Sequence, residues 1–459
     1  MFFGDRSPAF TAPLVRRRIG GVSVESPRTL RRTAGFLVRF FSNVLFKPVN
    51  DPRSARGRRW KSAIALLETA ALALAAGCKG LGEVEKLTNK MAPALRHLIA
   101  IARRVPDTTM RDFLCALNPH DICRLIWIAG YDAWRRKALH MLPDFPWGAA
   151  SLDAKYPSVR DVGDGDDSCD PYLQVHHDPD TKQPHHGLIR VVTSVLITAV
   201  GRPIIGATPI PGATNEEGHF MQAFGDLVRI YGCLFRVVLY DAGAASLVNA
   251  EAVIKAGKDY FFQIADPRWI MYQTIDLLLR DVVPAARTEE VSGIKRVVRE
   301  LTMRTVADTG KGLTLWRHTR TIFKVVSHTY ENGVFKSTKV RFFVTSLAAS
   351  ELSADKWLKL IVLRWGVEVA HQILDCAFEE DKHPWITSNA NGALVVMLLR
   401  RLVYTIMTLY KSVTLRAEDN QEMTWRDLMK QIEETLKWAQ ANAVECLRPR
   451  TFAVPPALA

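Results

Sequence analysis

Apolar residues recur at helical spacing through the first part of the chain. One helical face carries several of them before Gly77 can end the helix: Ile64, Leu66, Leu67, Ala71 and Leu74. A short helix is expected at 83–87, and the capping signal at 106–109 predicts another that begins near Met110. We therefore predict a helical module over residues 60–142. It could bind DNA, or it could simply cap the next domain.

Short β-branched runs replace this pattern from residue 146 onwards. Strands are predicted at 149–153, 188–200, 203–210, 234–240 and 259–264. Helices are predicted between them at 215–228 and 244–256. Strands that alternate with helices in this way are typical of an α/β sheet. Residues 146–266 therefore form the first part of a predicted α/β domain.

The pattern changes again over residues 267–338, which are rich in Arg, Thr and β-branched residues. Glu331-Asn332-Gly333 is a hairpin signal, so we predict a β-rich insertion here. Residues 339–383 should then complete the α/β domain, with a strand at 341–345 and a long helix at 353–378. Helices near 388–411 and 424–444 are predicted for the C-terminal segment, residues 384–459.

The chain has a formal net charge of +14, which favours a polyanionic partner, nucleic acid before membrane. Much of the excess lies in residues 1–59, where arginines cluster at 16–18, 31–32 and 53–59. We predict a basic, flexible arm that follows phosphates without reading bases. A solvated tail or a misassigned start codon would give the same pattern.

Two apolar stretches resemble membrane spans in composition. Residues 62–78 are too few to cross a bilayer and contain Glu68, and residues 393–410 are interrupted by Arg400-Arg401. We predict that both are buried helices. The seven cysteines include no CxxC pair, and no signal peptide is evident. A cytoplasmic, nucleoid-associated protein is therefore expected.

Two carboxylates end predicted strands. Asp153 ends the first strand of the α/β domain, in Leu152-Asp153-Ala154-Lys155, and Asp241 follows the apolar strand 234–240. Carboxylates at the C-terminal ends of adjacent strands can meet at the open edge of a sheet and share a cation there. Taken singly, each Asp has a plainer interpretation, because aspartate at a strand end is commonly a turn former or a helix cap.

A third carboxylate, Glu368, lies on the predicted long helix. Arg364, Glu368, His371 and Asp375 recur at intervals of three and four beside a complete apolar stripe. The alternative is a solvated face held by an Arg364–Glu368 pair. Three carboxylates from two strands and a helix suit two-metal phosphoryl transfer, in which hard Mg²⁺ ions take oxygen ligands.

The chain also resembles a known family of enzymes, in segments that occur in the same order from about residue 60 to 440. These segments are Ala76-Gly77-Cys78-Lys79-Gly80-Leu81-Gly82-Glu83-Val84-Glu85, Arg104-Val105-Pro106-Asp107-Thr108-Thr109, Leu152-Asp153-Ala154-Lys155, Tyr240-Asp241-Ala242-Gly243-Ala244, and Trp365-Gly366-Val367-Glu368 with Phe378-Glu379-Glu380-Asp381. In them the chain is similar to bacterial insertion-sequence transposases of the DDE superfamily, particularly the H-repeat-associated group.

The resemblance implies a ribonuclease-H-like α/β fold, a mixed sheet flanked by helices. The family's two aspartates fall on Asp153 and Asp241, its glutamate on Glu368, and the arginine before that glutamate on Arg364. It further implies Mg²⁺, with Mn²⁺ able to substitute, double-stranded DNA at element ends and target, and a homodimer on DNA. Candidate DNA-binding residues are then Lys155, Arg364, Arg103, Arg104, Arg111 and Trp316, the last as a stacking surface for an extruded base.

Some positions depart from the family pattern. Ala154 stands where glycine is common, Ile361 where tyrosine is expected, and Asp375 where a basic residue is expected. Two other functions therefore stay open beside the transposase. One is a metal-dependent DNA endonuclease on the same fold, and the other is an inactive DNA-binding relic.

Overall fold

The computed structural model describes most of the chain. The described residues are 17–19, 22–24, 27–41, 43–53, 61–98, 104–156, 158–159, 170–177, 184–306, 315–414, 423–440 and 447–458. Arg103, one of the predicted DNA-binding residues, lies outside them. Among the described residues the protein is a mixed α/β structure in which helices flank a large mixed sheet.

The helices are α1 (Pro27–Phe40), α2 (Asn43–Phe46), α3 (Ala63–Ala75), α4 (Leu81–Lys90), α5 (Pro93–Leu98), α6 (Asp107–Ala116), α7 (Pro119–Arg135), α8 (Glu216–Tyr231), α9 (Leu247–Lys255), α10 (Ile270–Leu279), α11 (Ala354–Arg364), α12 (Gly366–Cys376), α13 (Ala390–Leu409) and α14 (Trp425–Trp438). Many begin at a side chain that accepts a hydrogen bond from a first-turn amide, which stabilises the helix start. These caps are Ser62, Asn118, Asn215, Ser246, Asn389 and Thr424.

The strands are β1 (Arg17–Ile19), β2 (Val22–Val24), β3 (Ala149–Lys155), β4 (Ser158–Val159), β5 (Leu173–His177), β6 (Pro184–Ile189), β7 (Val191–Leu196), β8 (Ile204–Pro209), β9 (Val237–Tyr240), β10 (Asp259–Ile264), β11 (Ala286–Ser292), β12 (Lys295–Thr305), β13 (Thr321–Glu331) and β14 (Val334–Thr345). The large sheet has the order β11-β12-β13-β14-β10-β9-β3-β7-β8. Within it β3 pairs with β9 in parallel and with β7 antiparallel, and β9 pairs with β10 in parallel. All its other pairs are antiparallel.

Helices pack on both faces of this sheet. On one face α12 contacts β3 and β7, and α11 contacts β11 and β12. On the other face α8 contacts β7 and β8, and α9 contacts β10. Successive residues of a strand point to opposite faces, so Leu239 and Phe261 join the first apolar core while Tyr240 and Phe262 join the second. The central strands are therefore apolar on both faces, as their sequences predict.

The β-rich segment is continuous with the main sheet. Strand β14 begins at the predicted hairpin, where Asn332 and Gly333 both have positive φ (51° and 77°), and its other end pairs with β10. The segment also contains α10, which the sequence pattern did not predict. The predicted strand 188–200 is divided between β6 and β7 at Arg190, a buried residue whose guanidinium bonds to carbonyl oxygens of the loop after β8.

Within the predicted basic, flexible arm over residues 1–59, the structure has helices at Pro27–Phe40 and Asn43–Phe46. Helix α1 buries Phe36 and Leu37 in the first core, together with Phe41 directly after it, and the Phe36 ring stacks on Tyr410 at 3.9 Å. Helix α1 is amphipathic: its arginines lie on the solvent side and its apolar residues on the other. The sequence analysis missed this apolar side because arginines are so frequent in the segment.

Helix α13 is long and apolar enough to cross a membrane by length and composition alone. It is fully buried within the structure, and both Arg400 and Arg401 are buried with it. The prediction of a buried helix is confirmed. The predicted helix at 353–378 is instead two helices, α11 and α12, which are separated at Trp365.

Candidate active site

Asp153 and Asp241 lie side by side on two neighbouring parallel strands, near their carboxyl ends. The sequence predicts that Asp153 ends its strand, but it lies within β3, two residues before the strand ends, whereas Asp241 directly follows β9. Leu152 of β3 is paired with Tyr240 of β9, so the next residue of each strand is an aspartate at the same level of the sheet. The Asp241 carboxylate accepts a 2.8 Å hydrogen bond from the Gly243 amide. That bond fixes one oxygen of Asp241 and leaves the other available to a ligand.

A further carboxylate, that of Glu216, joins these two. One oxygen of each of Asp153, Glu216 and Asp241 lies within 4.8 Å of the others. Glu216 is in the first turn of α8, which follows β8, and its side chain accepts hydrogen bonds from two tyrosines. The Tyr240 hydroxyl donates to Oε1 at 2.7 Å, and the Tyr156 hydroxyl donates to Oε2.

The electrostatics of the cluster are those of acids held close together. Burial raises the pKa of Glu216, and the charges of Asp241 and Asp153 raise it further against the two tyrosine hydrogen bonds. Burial likewise raises the pKa of Asp241, with the Gly243 amide opposing and Asp153 adding to the rise. A cation would relieve this repulsion, because opposite charge favours the ionised form of each carboxyl.

Glu368 lies at the margin of this cluster on α12. Its side chain is 55% exposed, and its Oε1 is 3.7 Å from the Arg364 guanidinium. Burial raises the pKa of Glu368, Arg364 lowers it, and the charges of Asp153 and Asp241 raise it. Glu368 is therefore electrically coupled to both aspartates, although in this structure it is paired with arginine rather than grouped with them.

Arg364 and His371 contact the site from the face of the sheet that carries the first core. Arg364 is buried and donates a 3.1 Å hydrogen bond to Gln263 of β10, and the Ser151 hydroxyl donates to its backbone carbonyl at 3.2 Å. The His371 Nδ1 atom lies 3.3 Å from the Asp153 carboxylate. The polar stripe predicted from the sequence thus faces the strand-end acids through these two residues.

Lys155, a predicted DNA-binding residue, occupies a second group of carboxylates. Its ammonium is 2.9 Å from Glu380 and 3.2 Å from Asp381, and it also bonds Asp375. Glu380 is itself buried and accepts a 2.9 Å hydrogen bond from Arg401. Compensation by Arg401 and Lys155 lowers the pKa of Glu380 to about 2 against the effect of burial. In this structure the lysine ties β3 to the segment after α12.

The remaining predicted DNA-binding residues make contacts with other residues. Arg104 pairs with Glu85 beside α4, and Arg111 is exposed on α6, 3.4 Å from Asp112. Trp316 packs edge-on against Tyr260 and Phe262 of β10, with ring centres 5.8 and 6.3 Å apart. Its ring is half-buried against the second core, the plainer role of a Trp in a β-rich segment, and base stacking by Trp316 stays a prediction.

Sequence reasoning missed Glu216 because an acid in the first helical turn has an ordinary explanation, its favourable interaction with the helix dipole. The signal that could have found it is topological. Strand β8 runs antiparallel to β7 and hence in the same direction as β3, so the residues after β8 return to the edge that carries Asp153. That inference needs the strand order, which periodicity alone does not supply.

Comparison with known proteins identifies no family for this chain. No protein-family model matches it, and no curated protein is similar to it in sequence. Among solved structures, it is similar to the piggyBac transposase in a synaptic complex with hairpin DNA, determined by cryo-EM. The TM-score is 0.42 with 10% sequence identity, over 88% of this chain and 80% of that one.

Proposed function

We propose that the chain is a divalent-metal-dependent DNA phosphoryl-transfer enzyme, a DDE-type transposase that cleaves and joins DNA at the ends of an insertion sequence. The observation that carries the proposal is the convergence of Asp153, Glu216 and Asp241 within 4.8 Å at one edge of the sheet. Glu368 would complete the set from α12. The protein would bind double-stranded DNA in the nucleoid as a homodimer.

The donor set fits hard divalent cations. All the candidate ligand atoms are carboxylate oxygens, which Mg²⁺ and Mn²⁺ prefer, and two ions about 4 Å apart would suit this spacing. Bound ions would supply Lewis-acid activation of the attacking hydroxyl and stabilisation of the leaving oxygen. The residues of the chain hold the ligands in place: Tyr240 and Tyr156 fix Glu216, Gly243 fixes Asp241, and His371 abuts Asp153.

The sheet supports the ribonuclease-H-like part of the proposal. The five strands β8, β7, β3, β9 and β10 are adjacent in that order. Strands β8 and β3 are each antiparallel to β7, which lies between them, and β9 and β10 run parallel to β3. This arrangement brings the ends of β3, β9 and β8 to one edge, where acids from strands and flanking helices can meet.

Cleavage of DNA by the purified full chain tests the proposal. The substrate is a supercoiled plasmid that carries the DNA flanking this gene, incubated with Mg²⁺ or Mn²⁺. We expect cut and joined products from wild type, none from Asp153→Asn, and wild-type yield from Asp281→Asn, an exposed acid in the turn that follows α10. Cutting without joining would indicate the endonuclease. Binding without cutting by wild type would indicate the relic and contradict the proposed activity.

A further inference from the structure

Three guanidinium groups surround one indole ring beside the candidate active site. The Trp365 ring centre lies 5.1 Å from the guanidinium carbon of Arg341, 5.4 Å from that of Arg299 and 5.7 Å from that of Arg364. Trp365 separates α11 from α12, three residues before Glu368. The group therefore lies next to the acid that α12 contributes.

The strand register places these cations on the face of the sheet that carries α11 and α12. Arg341 of β14 pairs with Val325, and Val325 with Leu301 of β12, two residues from Arg299. Val325 and Leu301 belong to the first core, so Arg341 and Arg299 share its face. Lys339, two residues before Arg341, lies on the same face and is exposed. Beyond α11 this face thus becomes basic.

Carboxylates lie close to two of these three arginines but not to the third. Arg299 pairs with Glu290 at 2.8 Å, and Arg364 lies 3.7 Å from Glu368. Arg341 is half-buried, and within the described part of the chain no carboxylate lies within ion-pair distance of it. A guanidinium that is stacked on an aromatic ring is held in place with its donors directed outward, which is an arrangement that binds phosphate well.

We infer that Arg341, held against Trp365, is a contact for a backbone phosphate of the DNA substrate, and that Lys339 extends this contact along β14. The inference rests on the proposed function and deepens it, because it states on which side of the carboxylates the DNA lies. The DNA would run from the sheet edge past Glu368 onto the basic face of β12 to β14. Phosphate contacts carry no sequence information, so this surface would bind any duplex.

A salt titration of DNA binding tests the inference. The full chain is mixed with a fluorescent duplex of arbitrary sequence in Ca²⁺, which supports binding with little chemistry, and its affinity is measured by anisotropy across salt concentrations. We expect Arg341→Gln to weaken binding about tenfold and to lower the salt slope by about 0.9, the value for one phosphate contact. Arg341→Lys should restore the slope and only part of the affinity, since it keeps the charge and loses the planar donor pair.

Arg296→Gln is the matched control. Arg296 is also stacked on an aromatic ring, that of Tyr330 at 5.4 Å, but it lies on the opposite face and is bonded to Glu289 through two nitrogens. We expect its salt slope to equal that of wild type. If Arg341→Gln and Arg296→Gln behave alike while wild type binds and cuts DNA, the inference is wrong and the proposed function stands. If wild type binds no duplex, both fail. Melting curves confirm that each variant is folded.

Discussion

The Tyr240 hydroxyl donates a 2.7 Å hydrogen bond to Glu216 Oε1. Tyr240 is the last residue of β9 and its side chain points to the face covered by α8, whereas Asp241 follows it at the strand end. The bond therefore joins the start of α8 to the strand that presents Asp241. Glu216 owes its place in the acidic cluster to this bond and to Tyr156, since its backbone lies seven residues beyond the end of β8.

Substitutions of Glu216 and Glu368 should distinguish a role in metal binding from a role in DNA cleavage. Glu216→Gln removes a charge from the group whose oxygens already converge, so we expect Mn²⁺ affinity, measured by calorimetry, to fall at least tenfold. Glu368→Gln should abolish cleavage while leaving DNA binding near wild type, because it keeps the side-chain volume on α12. Glu217→Gln, at an exposed acid one residue from Glu216, is the control and should change neither quantity.

The opposite result has a clear meaning. Unchanged Mn²⁺ affinity in Glu216→Gln would make Glu216 a structural acid that is held by its tyrosines. Full cleavage by Glu368→Gln would remove Glu368 from the active site, and loss of cleavage in Asp375→Asn would place the third acid two turns further along α12.

The sequence singled out Asp153 and Asp241 as candidates because each comes at the end of a short apolar run, a pattern that can be recognised without knowing the neighbouring strands, and the structure places their carboxylates within 4.8 Å of each other. It could not locate Glu216, whose role depends on the order of β8, β7 and β3. It also missed the break at Trp365, since the apolar stripe passes through that position without interruption. These failures share one cause: periodicity describes a segment, whereas strand order and helix breaks are set by contacts between segments.

Glu380 should be a stability residue. It is buried between Lys155 and Arg401, at 2.9 Å from each. Glu380→Gln would leave two buried cations without their shared anion, so we expect a loss of about 3–5 kcal/mol in the free energy of unfolding, measured by urea denaturation. Asp381→Asn is the control, because Asp381 is 52% exposed and bonds the same lysine at 3.2 Å. Its effect should stay below about 1 kcal/mol.

The stabilities of wild type and Glu380→Gln should also differ in their dependence on pH. The pKa of Glu380 is lowered from 4.5 to about 2 in the folded protein. Its stabilising contribution is therefore complete above pH 4.5 and is lost as pH falls towards 2. The difference in unfolding free energy between wild type and Glu380→Gln should shrink over that window. A constant difference would show that the charge of Glu380 does not stabilise the fold.

Glu68 should have the opposite effect on stability to Glu380, because its contribution falls as pH rises. It is completely buried in α3, its carboxylate oxygens make no hydrogen bond within the described structure, and burial raises its pKa from 4.5 to about 9. From pH 4.5 upwards the unfolded chain releases this proton while the folded chain keeps it, so stability falls. Glu68→Gln cannot ionise in either state. We expect it to match wild type at pH 4 and to exceed it by about 3 kcal/mol at pH 7. Equal stability at both values would contradict this.

Helix α1 should combine a packing role with a charge role, and substitutions can separate them. Its buried side includes Phe36, which stacks on Tyr410, so Phe36→Ala should cost about 3–5 kcal/mol of unfolding free energy.

The exposed side of α1 carries Arg28, Arg31 and Arg32. Replacing all three with glutamine keeps the apolar side intact, so the melting temperature should hold. The salt slope of duplex binding should fall by about 0.9 for each phosphate that the arginines no longer bind. Because phosphates carry no sequence, the fall in affinity should be equal for all duplexes. If affinity fell for one sequence and the salt slope stayed constant, these arginines would read bases. If neither changed, the basic side of α1 would be a solvated surface, and the positive charge that binds DNA would lie elsewhere, on the face that carries Arg341.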